Sequence, residues 1–229
     1  MKKQLLIFGS NGALGKGVTD TLLKKDYDKY YLFDFQQQAI EGKNITQFEV
    51  KDLSIEENVK NAFQNISPSK ETAYFLFSTV GGFAGGKTVC ETSVEEWDNM
   101  MTMNLKTSFL IAKYFSELVK NSHSGSIFFT AAITGLKAEA KKAAYGASKG
   151  GLIHLVETLA KEGKVLKLTA NAIAPYIIDT PANRDWMQES DFESWVKPLE
   201  IGEFVHSIFT NYHFITGNIF KLPNRFSTK

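Results

Sequence analysis

Cysteine is almost missing from this chain. Cys90 is the single one in 229 residues, so no intrachain disulfide can form and a reducing location, the cytoplasm, is expected. The thiol itself reads as a small, buried or half-buried side chain. Excess charge is missing too. The balance of 26 basic and 25 acidic residues leaves +1, which removes the compositional case for nucleic acid or an anionic membrane as partner. No window approaches about 18 uninterrupted apolar residues, and the opening Met1-Lys2-Lys3-Gln4 leads into a short strand-like run, unlike a signal sequence. No membrane association is expected. His123, His154, His206 and His213 are scattered without metal-ligand spacing, so no metal is expected. No linker, repeat or low-complexity tract divides the chain, and residues 1–229 are expected to form one domain.

What the chain does contain is an alternation of strand-like and helix-like segments. Strands are expected at Gln4–Phe8, Lys29–Phe35, Ile45–Val50, Thr72–Val80, Ser126–Thr130, Lys167–Ala174 and Gly217–Leu222. Helices are expected at Leu14–Lys25, Ser54–Asn65, Glu95–Lys120, from Tyr145 to about Glu162, and at Ile201–Asn211. That order predicts an α/β fold, a doubly wound parallel sheet of about seven strands with helices on both faces.

Between the first strand and first helix stands Gly9-Ser10-Asn11-Gly12-Ala13-Leu14-Gly15. Strand, glycine turn and helix form the context of a dinucleotide fingerprint, in which the backbone approaches a pyrophosphate at a helix N-terminus. The spacing here, G-x-x-G-x-x-G, is a variant of it. Asp34 follows 19 residues after Gly15, where a carboxylate binds the adenosine ribose hydroxyls and repels a 2′-phosphate. Gln36, Gln37 and Gln38 follow with no Arg, so NADH is favoured and NADPH remains possible. A second glycine turn, Gly81 to Gly86, leaves the fourth strand at its C-terminal end, where open α/β sheets bind ligands. Tyr145 and Lys149 lie four apart, on one helix face. A cation beside a phenol lowers its pKa toward neutrality and fits it for proton transfer.

In that order these features make the whole chain resemble the short-chain dehydrogenase/reductase superfamily, a Rossmann fold. The resemblance implies that Tyr145 gives a proton to the substrate, that Lys149 lowers its pKa and holds the nicotinamide ribose, and that Asn104 positions the lysine through water. It implies a cofactor site of Gly9, Asn11, Gly12, Ala13, Leu14 and Gly15 around the phosphates. Asp34, Asp52 and Leu53 would meet the adenosine, and Val80, Gly81, Gly82 and Pro175 the remainder. The catalytic serine of the superfamily falls at Ala132, which cannot hydrogen-bond a developing oxyanion. Thr130 or Thr134 would have to replace it. The alanine, the two glycine turns and the stretches Asp179–Arg184 and Asp191–Trp195 resemble one branch, the quinoid dihydropteridine reductases. That branch implies a pterin-like substrate, with Phe83, Ala132 and Trp186 in its pocket.

A quinone, or another conjugated substrate of a reductase with the same fold, fits the same residues, and a non-catalytic dinucleotide sensor is a reading of another class. Asn183 to Val196, with Trp186, Phe192 and Trp195, is compatible with a substrate lid and equally with plain loop packing. The resemblance also implies a homodimer or homotetramer through the helices Glu95–Lys120 and Tyr145–Glu162. Leu152, Leu155, Val156 and Leu159 offer apolar area there, which core packing explains as well.

Overall fold

Leu5, Leu6, Ile7 and Phe8 are apolar without a break, as a strand needs when both its faces are covered. In the computed structural model, which describes residues 1–188 and 190–226, all four sit at 0% exposure at the end of β1 (Lys2–Phe8). Leu6 and Phe8 enter one apolar layer, Leu5 and Ile7 the other, as the two-residue period of a strand dictates. The further strands are β2 (Lys29–Asp34), β3 (Ile45–Glu49), β4 (Thr72–Ser78), β5 (Ser124–Thr130), β6 (Leu168–Pro175) and β7 (Ile219–Leu222). All pair in parallel in the order β3-β2-β1-β4-β5-β6-β7, the doubly wound sheet that the sequence predicts.

Eight α-helices are seen among the described residues: α1 (Ala13–Leu22), α2 (Glu56–Gln64), α3 (Val94–Met100), α4 (Thr107–Lys120), α5 (Ile133–Leu136), α6 (Ala143–Leu166), α7 (Pro181–Trp186) and α8 (Pro198–Thr210). Val18 and Leu22 of α1 meet Ile201, Val205 and Phe209 of α8 on one face of the sheet. Phe63, Ile111, Phe115, Leu152 and Val156, from α2, α4 and α6, cover the other. Leu152, Val156 and Leu159 therefore belong to this core, with Leu155 packed at its edge. No helix of the described residues is long and apolar enough to cross a membrane.

Two expectations change. Cys90, foreseen as buried or half-buried, is exposed. The helix foreseen over Glu95–Lys120 is not α-helical throughout: a π-helical segment, Met101–Lys106, lies between α3 and α4. Its wider turn lets Asn104 sit wholly inside, at 0% exposure. The polar tail is tied down as far as Arg225, whose N–H donates to Ser194 O at 2.7 Å. Residues 227–229 lie outside the described ones, as does Glu189 within the lid candidate.

The chain direction across the sheet reverses between β1 and β4. At such a switch point the loops leaving the two strands part and open a crevice at their C-terminal ends. The candidate functional site is built there.

Candidate active site

β1 runs straight into the glycine turn. Gly9 is left-handed at φ +78°, and α1 begins at Ala13 with no side chain capping its N-terminus. Gly15 is packed against that turn so tightly that an added Cβ would stand 1.8 Å from Gly9 O. Thr79, a residue the sequence reading missed, braces the turn from just past the end of β4, its Oγ1 donating to Gly9 O at 2.7 Å. One strand over, the Asp34 carboxylate accepts from the N–H of Asn11 at 2.8 Å and of Phe35 at 2.7 Å. The end of β2 is thereby tied to the turn, and each carboxylate oxygen keeps acceptor capacity for a ligand hydroxyl.

A cavity of about 560 Å³ extends from this turn along the C-terminal edge of the sheet. Gly9, Gly12, Ala13, Leu14, Gly15, Asp34 and Leu53 line one end, and Val80, Gly81, Gly82, Phe83, Ala132, Tyr145, Lys149, Pro175 and Trp186 line the rest. Three of the foreseen residues, Asn11, Asp52 and Asn104, are not in its lining. Asn11 contributes its backbone to Asp34, and the Asp52 carboxylate accepts from Ser54 N and Oγ at 2.8 and 2.7 Å, closing the turn into α2. Those bonds hold the Asp52 carboxyl below its ordinary pKa.

Tyr145 and Lys149 enter the cavity from the first turns of α6. The Lys149 ammonium donates to Thr130 O at 2.8 Å, at the end of β5, and is 3% exposed. Burial pulls its pKa down to about 8. Tyr145 goes the other way: burial first, then the charge of Glu139, push its phenol up to about 12. The ammonium stands 5.9 Å from the phenol ring centroid, and the phenol's pKa lies above its ordinary value, not below it as the sequence leads one to expect.

Asn104 acts as a clamp. Its Oδ1 accepts from Gly82 N at 3.0 Å, and its Nδ2 donates to Gly82 O at 3.1 Å and to Ser148 Oγ at 3.0 Å. Ser148 in turn donates to Tyr145 O at 2.8 Å. The amide thus joins the second glycine turn to the helix carrying Tyr145 and Lys149. Ser148 is a small residue inside a helix, and its sequence gives no sign of this role. The Gly81 position is equally confined, since a Cβ there would lie 2.7 Å from Asn104 Oδ1 and 2.9 Å from Lys149 Nζ.

Where the superfamily carries serine, Ala132 presents a methyl group to the cavity. The two candidate replacements both line it, but their protons are committed: Thr130 Oγ1 donates to Ser78 O at 2.9 Å, and Thr134 Oγ1 to Glu139 Oε1 at 2.8 Å. Phe83 gives the cavity an aromatic wall. The Phe83 ring meets the Tyr145 ring edge-on at 5.0 Å and the Trp186 ring at 5.6 Å.

The lid candidate divides into two parts. Its base is closed by Asp179 N donating to Val196 O at 2.9 Å and by the Ile178–Val196 bridge. Trp186, 67% exposed, hangs over the cavity from α7, whereas Trp195 is buried at 1% and stacks edge-on with Phe192. Glu139 and Lys142 also line the cavity, and sequence reasoning passed over both.

The arrangement can hold a long anionic ligand with a ribose at Asp34 and present its far end to a proton donor. The tight Gly9–Gly15 contact and the uncapped α1 fit a dinucleotide pyrophosphate. Comparison with known proteins points the same way. The short chain dehydrogenase family model matches residues 3–191. The dihydropteridine reductase of Dictyostelium discoideum is 28% identical over 213 residues, covering 92% of this chain and 89% of its own. The 3-oxoacyl-[acyl-carrier-protein] reductase of Homo sapiens is 26% identical over 216 residues, covering 91% and 87%. Among solved structures, ElxO with NADP bound superposes with a TM-score of 0.85 at 22% identity, over 97% of this chain and 98% of that one. The aldohexose dehydrogenase of Thermoplasma acidophilum gives 0.82 at 22% identity, over 97% and 92%.

Proposed function

The chain belongs to the short-chain dehydrogenase family of NAD(P)-dependent oxidoreductases, and from that premise we propose that it is an NADH-preferring dihydropteridine reductase. It would act as one domain on a quinonoid dihydropterin to give the tetrahydropterin. The observation that carries this reading is Ala132. Neither the Thr130 nor the Thr134 hydroxyl is free to polarise a carbonyl, while Tyr145 stands beside an aromatic wall that Phe83 provides. A quinonoid ring is already electron-poor and needs less polarisation than a ketone. A bound nicotinamide dinucleotide supplies the hydride. Tyr145 holds the proton for the ring, Lys149 supplies the neighbouring positive charge, and Asn104 fixes both against Gly82. Phe83 and Trp186 cover the flat face of the ring.

The NADH preference rests on Asp34. Among the described residues that line the cavity the only cations are Lys142 and Lys149, and the latter bonds at the end of β5, three strands away from β2, leaving a 2′-phosphate unpaired beside a carboxylate. Association into two or four copies belongs to the same reading. It is supported by Met103 and Phe109, 44% and 50% exposed on the π segment and α4; light scattering at the mass of one chain would remove it.

The decisive experiment compares NADH oxidation with a quinonoid dihydropterin generated in situ, a benzoquinone and a 3-oxoacyl thioester. The pterin is expected to lead the thioester by at least about tenfold in kcat/KM, and NADPH to serve at least about tenfold less well than NADH. Turnover of the thioester without turnover of the pterin overturns the proposal.

A further inference from the structure

The reductase reading gives no role to a carboxylate that stands close to the reacting phenol. Glu139 lies between α5 and α6 and lines the same cavity as Tyr145, Phe83 and Trp186. Both its oxygens are held from the protein side. Thr134 Oγ1 donates to Oε1 at 2.8 Å and Lys142 Nζ to Oε2 at 2.6 Å, and these donors hold the carboxyl below its ordinary pKa. The segment is fixed in turn by Gly86 N donating to Lys141 O at 2.8 Å. Lys141 takes φ +63°, a left-handed conformation that costs a residue with a side chain about 1 kcal/mol or more. Around that kink Ala140 and Lys141 face solvent, while Glu139 and Lys142 are half-buried in the cavity wall.

Stability does not explain the placement. The pair is 30% and 28% exposed, and ion pairs of that exposure contribute little. Its negative charge also raises the Tyr145 pKa, which a catalytic phenol gains nothing from. A ligand explains it better. Each carboxylate oxygen accepts two hydrogen bonds, and one place on each remains. Two adjacent acceptors match two parallel N–H donors, the geometry in which carboxylates grip a guanidinium.

We infer that Glu139 is a specificity-determining residue whose free lone pairs accept the paired N–H groups of a 2-amino-4-oxopyrimidine edge, while Phe83 and Trp186 cover the ring. The identity of the ring rests on the reductase reading. Recognition by Glu139 is tested apart from turnover, by fluorescence titration of the NADH-loaded chain with the stable 2-amino-4-oxopteridine and with 2,4-dioxopteridine, which lacks the amino group. The wild-type chain is expected to favour the amino ring by at least about tenfold, and Glu139→Gln to lose the preference with NADH affinity kept within about twofold. Glu139→Asp should restore part of it. Equal discrimination in wild type and Glu139→Gln, or none in the wild type, overturns the inference. Discrimination intact with no reduction of a quinonoid dihydropterin upholds it and strikes the reductase reading alone.

Discussion

Tyr145→Phe and Lys149→Met are expected to lose turnover alike, by roughly a hundredfold to ten-thousandfold, and to part company in stability. Phenylalanine removes the proton donor and leaves the ring contact with Phe83 in place, so the fold should be unmoved and NADH still bound. Methionine does more. It takes an ammonium out of a site where burial has pulled its pKa from 10.5 to about 8. That depression represents at most about 3 kcal/mol of penalty at neutral pH. Against it stands the lost bond to Thr130 O, worth about 1–2 kcal/mol. The net gain of about 1–2 kcal/mol would raise Tm by roughly 3–6 °C for a chain of this size.

The pH dependence identifies the cause. Below about pH 8 Lys149 is charged in both folded and unfolded chains, and the full penalty applies. Between about pH 8 and 10.5 the unfolded chain binds more protons, so wild-type stability rises with pH as the penalty fades. The Tm advantage of Lys149→Met should therefore shrink from pH 7 to 9.5. Tyr145, with its pKa raised to about 12, acts in the opposite sense only above pH 10, where the unfolded chain gives up its proton first. An advantage constant across that range would mean that packing, not the buried charge, separates the variants.

That Lys149 is deeply buried could not be read from Tyr145-Gly146-Ala147-Ser148-Lys149. The spacing places both side chains on one helix face; what lies over that face comes from β5, and Thr130 O is a backbone acceptor with no sequence signature. The sheet was legible because both faces are covered, which leaves unbroken apolar runs such as Leu5–Phe8 and Phe75–Phe77. The π segment was not. One extra residue per turn hardly alters a hydrophobic period, yet it places Asn104 in the clamp on Gly82. α7 had a signal that went unused: Thr180 caps it, accepting from Asn183 N at 3.3 Å, and Pro181 is its first residue. Glu139 had none, because its approach to Thr134 and Tyr145 depends on a left-handed Lys141 where a glycine would be the usual mark.

Gly15→Ala is expected to abolish useful dinucleotide binding, raising the Kd for NADH by at least about a hundredfold, or about 2.7 kcal/mol. A Cβ 1.8 Å from Gly9 O and 2.9 Å from Gly9 C meets backbone, which cannot swing aside as a side chain can. The turn must open, with a loss of about 1–3 kcal/mol in stability. Weaker binding alone would leave damage to the fold as a sufficient cause. Gly12→Ala separates the two. Gly12 has φ −67°, open to any residue, and a Cβ there would meet only Gly9 O at an ordinary 3.6 Å. Its methyl group would nevertheless enter the cavity at the uncapped N-terminus of α1, where a pyrophosphate needs the backbone itself. Gly12→Ala should keep the wild-type Tm and still lose about tenfold or more in NADH affinity, read by fluorescence titration beside a thermal melt. Wild-type affinity in both variants would mean that the dinucleotide is not seated on this turn, and the ribose role of Asp34 would fall with it.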